Sequence, residues 1–271
     1  MSFGTLAVVA KLAYRIGAEP LPLLATRFAI ATLLLAAVEL RTKSSPHMEG
    51  ALIVRLMLLG GLGYALEAAL FFAALQRSPA SEVSLVFYSY PLWTALLSFA
   101  LRMEPFRWQL IAALGLGLAG VGTLFSFSVP EGGLAGPLLA LGAAASIAVF
   151  LVIAQLVLRD VASGATALWT AAGATVSLGV AGVAGGQSFS AAALPAAAAL
   201  GVATAIAFVA LYAAIARIGS ARTSVAGTLE PVTTVSLAVA VLAEPLTLRL
   251  IAGTILVICA LPVLTLSRRS A

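Results

Sequence analysis

Residues 75–112 read LQRSPASEVSLVFYSYPLWTALLSFALRMEPFRWQLIA, and residues 215–252 read IARIGSARTSVAGTLEPVTTVSLAVAVLAEPLTLRLIA. Laid over one another at an offset of 140 residues, without a gap, the two stretches keep the same residue at spaced positions. Arg77 meets Arg217, Ser84 meets Ser224, Pro91 meets Pro231 and Thr94 meets Thr234. Ala100 meets Ala240, Glu104-Pro105 meets Glu244-Pro245, and Leu110-Ile111-Ala112 meets Leu250-Ile251-Ala252. Apolar sequence of low complexity inflates chance identity, but a proline followed thirteen positions later by Glu-Pro is a spaced pattern that chance does not readily repeat. The chain therefore reads as two copies of one unit.

Composition says where such a chain lives. Of 271 residues, 62% are hydrophobic and 9% are charged, where a soluble domain carries about 25% charged residues. That excludes a soluble fold, which needs more polar surface, and a disordered chain, which is polar and charge-rich. Cys259 is the single cysteine, so no disulfide framework exists. The single histidine, His47, sits in a polar connector, which leaves no histidine-built metal or catalytic centre. The net charge of +5 comes from scattered basic residues that flank apolar stretches, not from the clustered basic face of a nucleic-acid binder. No cofactor and no enzymatic activity are expected; the partners are a small-molecule substrate and the lipid bilayer, and a homodimer is one form the sequence allows.

A spanning helix needs about 20 apolar residues, and the chain divides into ten such segments: 2–18, 21–40, 51–76, 81–101, 106–127, 134–157, 165–185, 191–216, 222–242 and 247–267. The fold class is all-α integral membrane. Five spans per copy is an odd number, so the copies cross the membrane in opposite directions: ten transmembrane helices as two inverted five-helix repeats, residues 1–127 and 134–271, joined by an external loop at 128–133. Lys and Arg in the loops set the orientation. With the N-terminus inside, ten of them fall on the cytoplasmic side, and four, Arg15, Arg27, Arg77 and Arg249, fall outside. Both termini are expected in the cytoplasm and the chain in a plasma membrane, such as a bacterial inner membrane. The repeat places the mate of Leu134 about six positions before Met1, so the first span is expected to be short at its start, from a start codon assigned too late or, as the alternative, from a first helix that is tilted or incomplete.

An ionisable group within a span costs several kcal/mol unless it is paired or hydrated, which makes each one a candidate for function. Lys11, Glu67 and Glu230 lie deepest. Counted from the outer ends of their spans, Lys11 and Glu67 differ in depth by about 3 Å, close enough to pair. Tyr64, Glu67 and Phe71 share one helical face, and Lys11 and Tyr14 another. Glu230 precedes Pro231, and its repeat mate Tyr90 precedes Pro91. Proline inside a helix frees a carbonyl and bends the axis, so the two kinks suit a pair of gates. The expected substrate and proton pathway is Lys11, Tyr64, Glu67, Tyr90, Trp93 and Glu230, with Pro91 and Pro231 as gating kinks; Tyr88 and Trp169 are further candidates for the cavity wall. The alternatives are a structural ion pair between helices and a purely packing role for Pro231. Glu104-Pro105 and Glu244-Pro245 read as helix starts, and Arg27 and Glu82 as interfacial residues. The run Gly115-Leu116-Gly117-Leu118-Ala119-Gly120 spells a dinucleotide fingerprint but lies inside an apolar helical run, where small residues serve close packing.

In this order the motifs resemble the drug/metabolite transporter superfamily, specifically its EamA-type ten-helix members. The likeness rests on Ser2-Phe3-Gly4 with Lys11, Ala25-Thr26-Arg27-Phe28, and Ala73-Ala74-Leu75 running into Ser78-Pro79-Ala80-Ser81. It rests also on Tyr90-Pro91 with Glu104-Pro105, and on Leu229-Glu230-Pro231-Val232 with Glu244-Pro245. The resemblance implies a transporter of small metabolites, often an exporter of amino acids or related compounds. The two repeats suggest alternating access, and Glu67 or Glu230 is a candidate to exchange a proton for substrate; a uniporter or an exchanger without proton coupling is the open alternative. A membrane channel, a non-transporting scaffold and a membrane enzyme acting on lipid-linked substrates are the competing readings.

Overall fold

The computed structural model describes residues 5–42, 48–103, 133–157, 161–226 and 230–265, with isolated positions between 108 and 123. The described residues are helical throughout, with turns and short connectors and no strand. In chain order the helices are α1 (Leu6–Arg15), α2 (Pro20–Thr42), α3 (Gly50–Leu58), α4 (Ala65–Arg77), α5 (Ala80–Phe87) and α6 (Tyr90–Ala100). The second half supplies α7 (Ala135–Val157), α8 (Ser163–Ala184), α9 (Leu194–Ile218), α10 (Ser220–Ala226), α11 (Glu230–Leu242) and α12 (Leu248–Thr265).

Six helical stretches are long and apolar enough to cross a membrane: Pro20–Arg41, Gly50–Arg77, Ala80–Ala100, Ala135–Val157, Ser163–Ala184 and Ala191–Ile218. Two shorter apolar helices, Thr233–Leu242 and Leu248–Ala260, accompany them. The segment expected as the fifth span, 106–127, falls largely outside the described residues. Leu33, Leu40, Leu62, Val180, Val183 and Ile206 stand exposed on the outside of the bundle. In water so much apolar surface would drive association; against lipid tails it is the natural exterior.

The fourth expected span is not a continuous helix: it divides into α5 and α6. The described residues of the ninth form α10 and α11, and α5 and α10 start 140 residues apart, at Ala80 and Ser220. Proline has no N–H to donate and its ring collides with the preceding turn. Pro91 therefore sits at the second residue of a new helix, after a turn at Tyr88 and Ser89. What the sequence suggested as a kink at Pro91 is an interruption, with proline in the early-helix position it favours.

The packing is exchange-symmetric. α5 lies against α11 as α10 lies against α6; α1 lies against α11 as α7 lies against α6; α2 lies along both α8 and α9. At the centre, small residues let backbones meet. A side chain at Gly60 would run into the Thr170 carbonyl of α8, and one at Gly173 into the Met57 carbonyl of α3. Beside this contact α3 and α4 are joined by a single π-helical turn, Leu59–Tyr64 (LGGLGY). A π turn inserts a residue into the helical ladder and turns the face that follows. Gly120 and Gly253 oppose one another in the same close manner, a side chain on either meeting the other's carbonyl. Of the fingerprint-like glycines, Gly117 and Gly120 are thus packed against neighbouring helices, at Leu92 and Gly253, while Gly115 faces open space.

Candidate functional site

α4 carries Glu67 into the bundle on the face just beyond the π turn. Tyr64, Glu67 and Phe71, expected on one face, line one cavity of about 70 Å³. By that volume it holds a handful of waters. From the second half α11 brings Glu230 to the same cavity, and the loop end of α5 brings Tyr88, whose hydroxyl donates to Glu230 Oε2 at 3.0 Å. Tyr90 at the head of α6 completes that wall and donates to the Ser224 carbonyl at 3.3 Å. Rings close the wall: Phe71 lies 4.8 Å from Phe87, and Phe87 lies 5.6 Å from Tyr88 and 5.3 Å from Tyr90, centroid to centroid.

Arg27 is the residue the sequence misplaced. Expected at an outer interface, it is 2% exposed and lines this cavity. Its Nε donates to Thr204 Oγ1 on α9 at 2.6 Å, and Tyr64 is a further hydrogen-bonding neighbour. The guanidinium carbon sits 4.8 Å from the centre of the Phe28 ring and 5.7 Å from that of Phe72. The charge that acts on Glu67 is that of Arg27. A buried carboxylate needs a counter-charge or hydrogen bonds; the sequence expectation that Lys11 would supply it is corrected here. Equal depth did not bring the two together, because Lys11 points away from the cavity.

Lys11 lies instead in a second, larger space of about 440 Å³, with Tyr14, Arg15, Gln76 and Glu244 among its lining residues. Lys11 and Tyr14 do share a face, as expected, but it is the face of this vestibule, where the nearest opposite charge to Lys11 is Glu244. The wall between vestibule and cavity is thin. Tyr14 on the vestibule side donates its hydroxyl to the carbonyl of Phe72, a cavity residue, at 3.0 Å. Arg15 reaches across to the Leu242 carbonyl at 3.3 Å.

Glu244 is the second correction. It was read as the acid of a local helix start, but the following helix begins at Leu248, with Thr247 Oγ1 accepting from Leu250 N at 3.2 Å. Its carboxylate caps a different helix. Oε1 accepts from Ala80 N at 2.6 Å, and Oε2 accepts from Ser81 N at 3.0 Å and Ser81 Oγ at 2.5 Å. The first turn of a helix has N–H groups without partners, and no side chain within α5 caps them. The matching helix start in the second half, at Ser220, is capped by Gln155 Oε1, which accepts from Ser220 N at 2.6 Å and Ser220 Oγ at 2.5 Å. Glu104 lies outside the described residues. Glu82 is half-buried and in the field of Glu244 rather than at an open interface.

The remaining candidates stand apart from the cavity. Trp93 is partly buried and donates Nε1 to Ser89 Oγ at 3.3 Å, one turn back. Trp169 packs against the core. Neither is a lining residue of the cavity. Among the described residues no group of three or more His, Cys, Asp and Glu is arranged to hold a metal.

None of the curated proteins matches the chain. A protein of known crystal structure is similar over 99% of this chain and 97% of its own, at 25% sequence identity and a TM-score of 0.72. The sequence profile described as "EamA-like transporter family" matches residues 1–126 and again residues 134–266. A match to each half, over nearly the whole length, agrees with a bundle whose halves pack in exchange-symmetric contacts. The chain belongs to the EamA-like transporter family, within the drug/metabolite transporters.

Proposed function

We propose that the protein is a secondary active transporter that exports small metabolites, amino acids or related compounds, by alternating access, with Glu67 and Glu230 on a shared substrate and proton path. One observation carries this reading: each half delivers one buried carboxylate, Glu67 from α4 and Glu230 from α11, to a single cavity inside a bundle of apolar helices. Ionisable groups are expensive at such depth and persist where they serve a pathway. Transporters built from inverted repeats place their site at the repeat interface, on interrupted helices; α5–α6 is such a helix, and its break at Tyr88 and Ser89 borders the cavity. With the repeats inverted and both termini cytoplasmic, the vestibule of Lys11, Arg15 and Glu244 opens to the outside. Removing buried Arg27 from the outer tally leaves ten basic residues inside against three outside, the sense the positive-inside rule asks for.

The test is flux in sealed proteoliposomes with an imposed pH gradient, using a panel of labelled amino acids, amines and nucleosides. At least one substrate should accumulate against its gradient, saturably, and collapse of the gradient should abolish the accumulation. Glu230→Gln should lose gradient-driven flux while still inserting and remaining monodisperse. Gradient-driven flux that survives in Glu230→Gln refutes its place on the proton path; conductance in single-channel recordings refutes the carrier.

A further inference from the structure

We infer that the vestibule at the end of α1 is a binding site in its own right, for the carboxylate or phosphate group of a small organic anion held between Lys11 and Arg15. The site is separate from the central cavity and does not depend on the transport reading. It starts from Lys11, which is half-buried and lines the vestibule. Among the described residues no oxygen accepts a hydrogen bond from its ammonium, and no carboxylate is in ion-pair contact with it. The nearest opposite charge, Glu244, has both oxygens turned to the start of α5, where they accept from Ala80 N, Ser81 N and Ser81 Oγ. A charge drawn out of water needs a partner. The space in front of Lys11, about 440 Å³, is of the size that takes a small molecule.

Arg15 follows Lys11 by four residues in α1, so the two share a face, with Lys11 about 6 Å further from the helix end. One arm of the Arg15 guanidinium donates to the Leu242 carbonyl at 3.3 Å. That bond holds the fork in place and leaves its other N–H groups without an acceptor among the described residues. A guanidinium fork matches two oxygens of one carboxylate or phosphate, and an ammonium one turn along the same face can hold the same group from its other side. The Tyr14 hydroxyl already donates to Phe72. Among the described lining residues the uncommitted charged groups are therefore both cations, and the one carboxylate is committed to α5. Leu75, Leu242 and the Tyr14 ring give an apolar wall for a small body, and Gln76 on α4 stands at the rim.

The test measures binding of benzoate and phenyl phosphate to the purified protein in phosphatidylcholine nanodiscs by titration calorimetry, with methyl benzoate as the uncharged counterpart. Benzoate and phenyl phosphate should compete for one site, and methyl benzoate should bind at least about tenfold more weakly than benzoate. Lys11→Met and Arg15→Met should each weaken benzoate about tenfold or more, and Arg15→Lys, which keeps the charge without the fork, about threefold. Arg77→Met removes an exposed cation that is not a lining residue and should leave benzoate affinity unchanged. Gln76→Glu places a negative charge at the exposed rim and should weaken benzoate about tenfold, which keeps the test decisive if Lys11→Met does not fold. Methyl benzoate binding as tightly as benzoate overturns the inference, as does full benzoate affinity in folded Lys11→Met or in Gln76→Glu, or an equal loss in Arg77→Met. The headgroup phosphate of an anionic lipid has the same chemistry. Phosphatidylglycerol retained through purification by the unchanged protein but not by Lys11→Met, read by native mass spectrometry, assigns the site to a lipid; equal retention in both assigns it to a soluble anion. Benzoate that binds in this way without any flux in vesicles leaves the site standing and the transport reading unsupported.

Discussion

Replacing Glu244 with alanine removes three hydrogen bonds at once, those to Ala80 N, Ser81 N and Ser81 Oγ. The loss can be sized from its parts. Truncating an N-cap side chain costs about 0.5–2 kcal/mol. A carboxylate at a helix N-terminus adds about 0.3–1 kcal/mol through the aligned peptide dipoles. Glu244 is partly exposed, so middle values apply and the total is about 2 kcal/mol, a factor of about thirty in an equilibrium. That energy holds the connector between α11 and α12 against the start of α5, beside the Arg15–Leu242 and Tyr14–Phe72 contacts that close the cavity from the vestibule. The predicted consequence is a larger population in which that closure has parted.

The assay is the reaction rate of a cysteine at Ala68, a buried lining residue of the cavity, with a membrane-impermeant thiol reagent, in a Cys259→Ser background. Where opening is fast and labelling slow, the rate follows the open population. Glu244→Ala should raise it about thirtyfold. Glu244→Gln keeps one acceptor oxygen and should raise it about fivefold, and Glu244→Asp keeps the charge but falls a methylene short, so it should lie between them. A rate in Glu244→Ala within twofold of the unchanged protein, with folding intact, refutes the assignment of this cap to the closure.

Two further outcomes follow from the packing. Gly60→Ala puts a methyl into the Thr170 carbonyl, a backbone atom that cannot turn aside, and should lower stability by about 1–3 kcal/mol; Gly142→Ala meets only Leu70 Cδ1 at 3.5 Å and should leave the melting temperature unchanged or slightly raised, both read by thermal unfolding in detergent. Arg27→Met removes the cation that faces Glu67 and should destabilise by about 3 kcal/mol, with partial recovery in the double variant Arg27→Met with Glu67→Gln; no recovery would show that the two charges do not answer one another.

Helical class, the two-copy plan and the disturbed helix at Pro91 were legible because each depends on local chemistry: apolar run length, residue identity at fixed offset, and a missing N–H. The shared face of Tyr64, Glu67 and Phe71 was legible for the same reason. Arg27 was not, because its depth is set by Thr204, 177 positions away on α9, and by the two rings against it. A hint was present, since Arg27 alone among the four outer basic residues falls well inside an apolar run. The Lys11–Glu67 pair failed because depth along two helices says nothing of the angle each presents. Glu244 failed for a related reason. The dipeptide Glu-Pro looks the same whether the acid serves its own helix or another one, and only the fold brings the bare N–H groups of Ala80 and Ser81 within reach.

The two capped helix starts, equivalent by repeat, are held by unlike means, and this bears on which side of the cavity yields. At Ser220 the acceptor is the neutral amide of Gln155, carried on α7, a long helix packed against α4, α5 and α6. At Ala80 the acceptor is a carboxylate on the non-helical connector between Leu242 and Leu248, which includes Ala243 at φ 58°. The position equivalent to Gln155 is Arg15, which can donate but not accept, and it bonds the Leu242 carbonyl instead. If the connector withdraws, nothing at that position can take over the cap on α5, whereas α10 keeps its cap for as long as α7 stays in place. Among the described residues, the Ala80 start is therefore held from a short connector by a charged acceptor, and the Ser220 start from a long helix by a neutral one. Two halves alike in sequence thus hold equivalent helix starts unequally among the described residues, with glutamine at position 155 where the repeat has arginine at position 15.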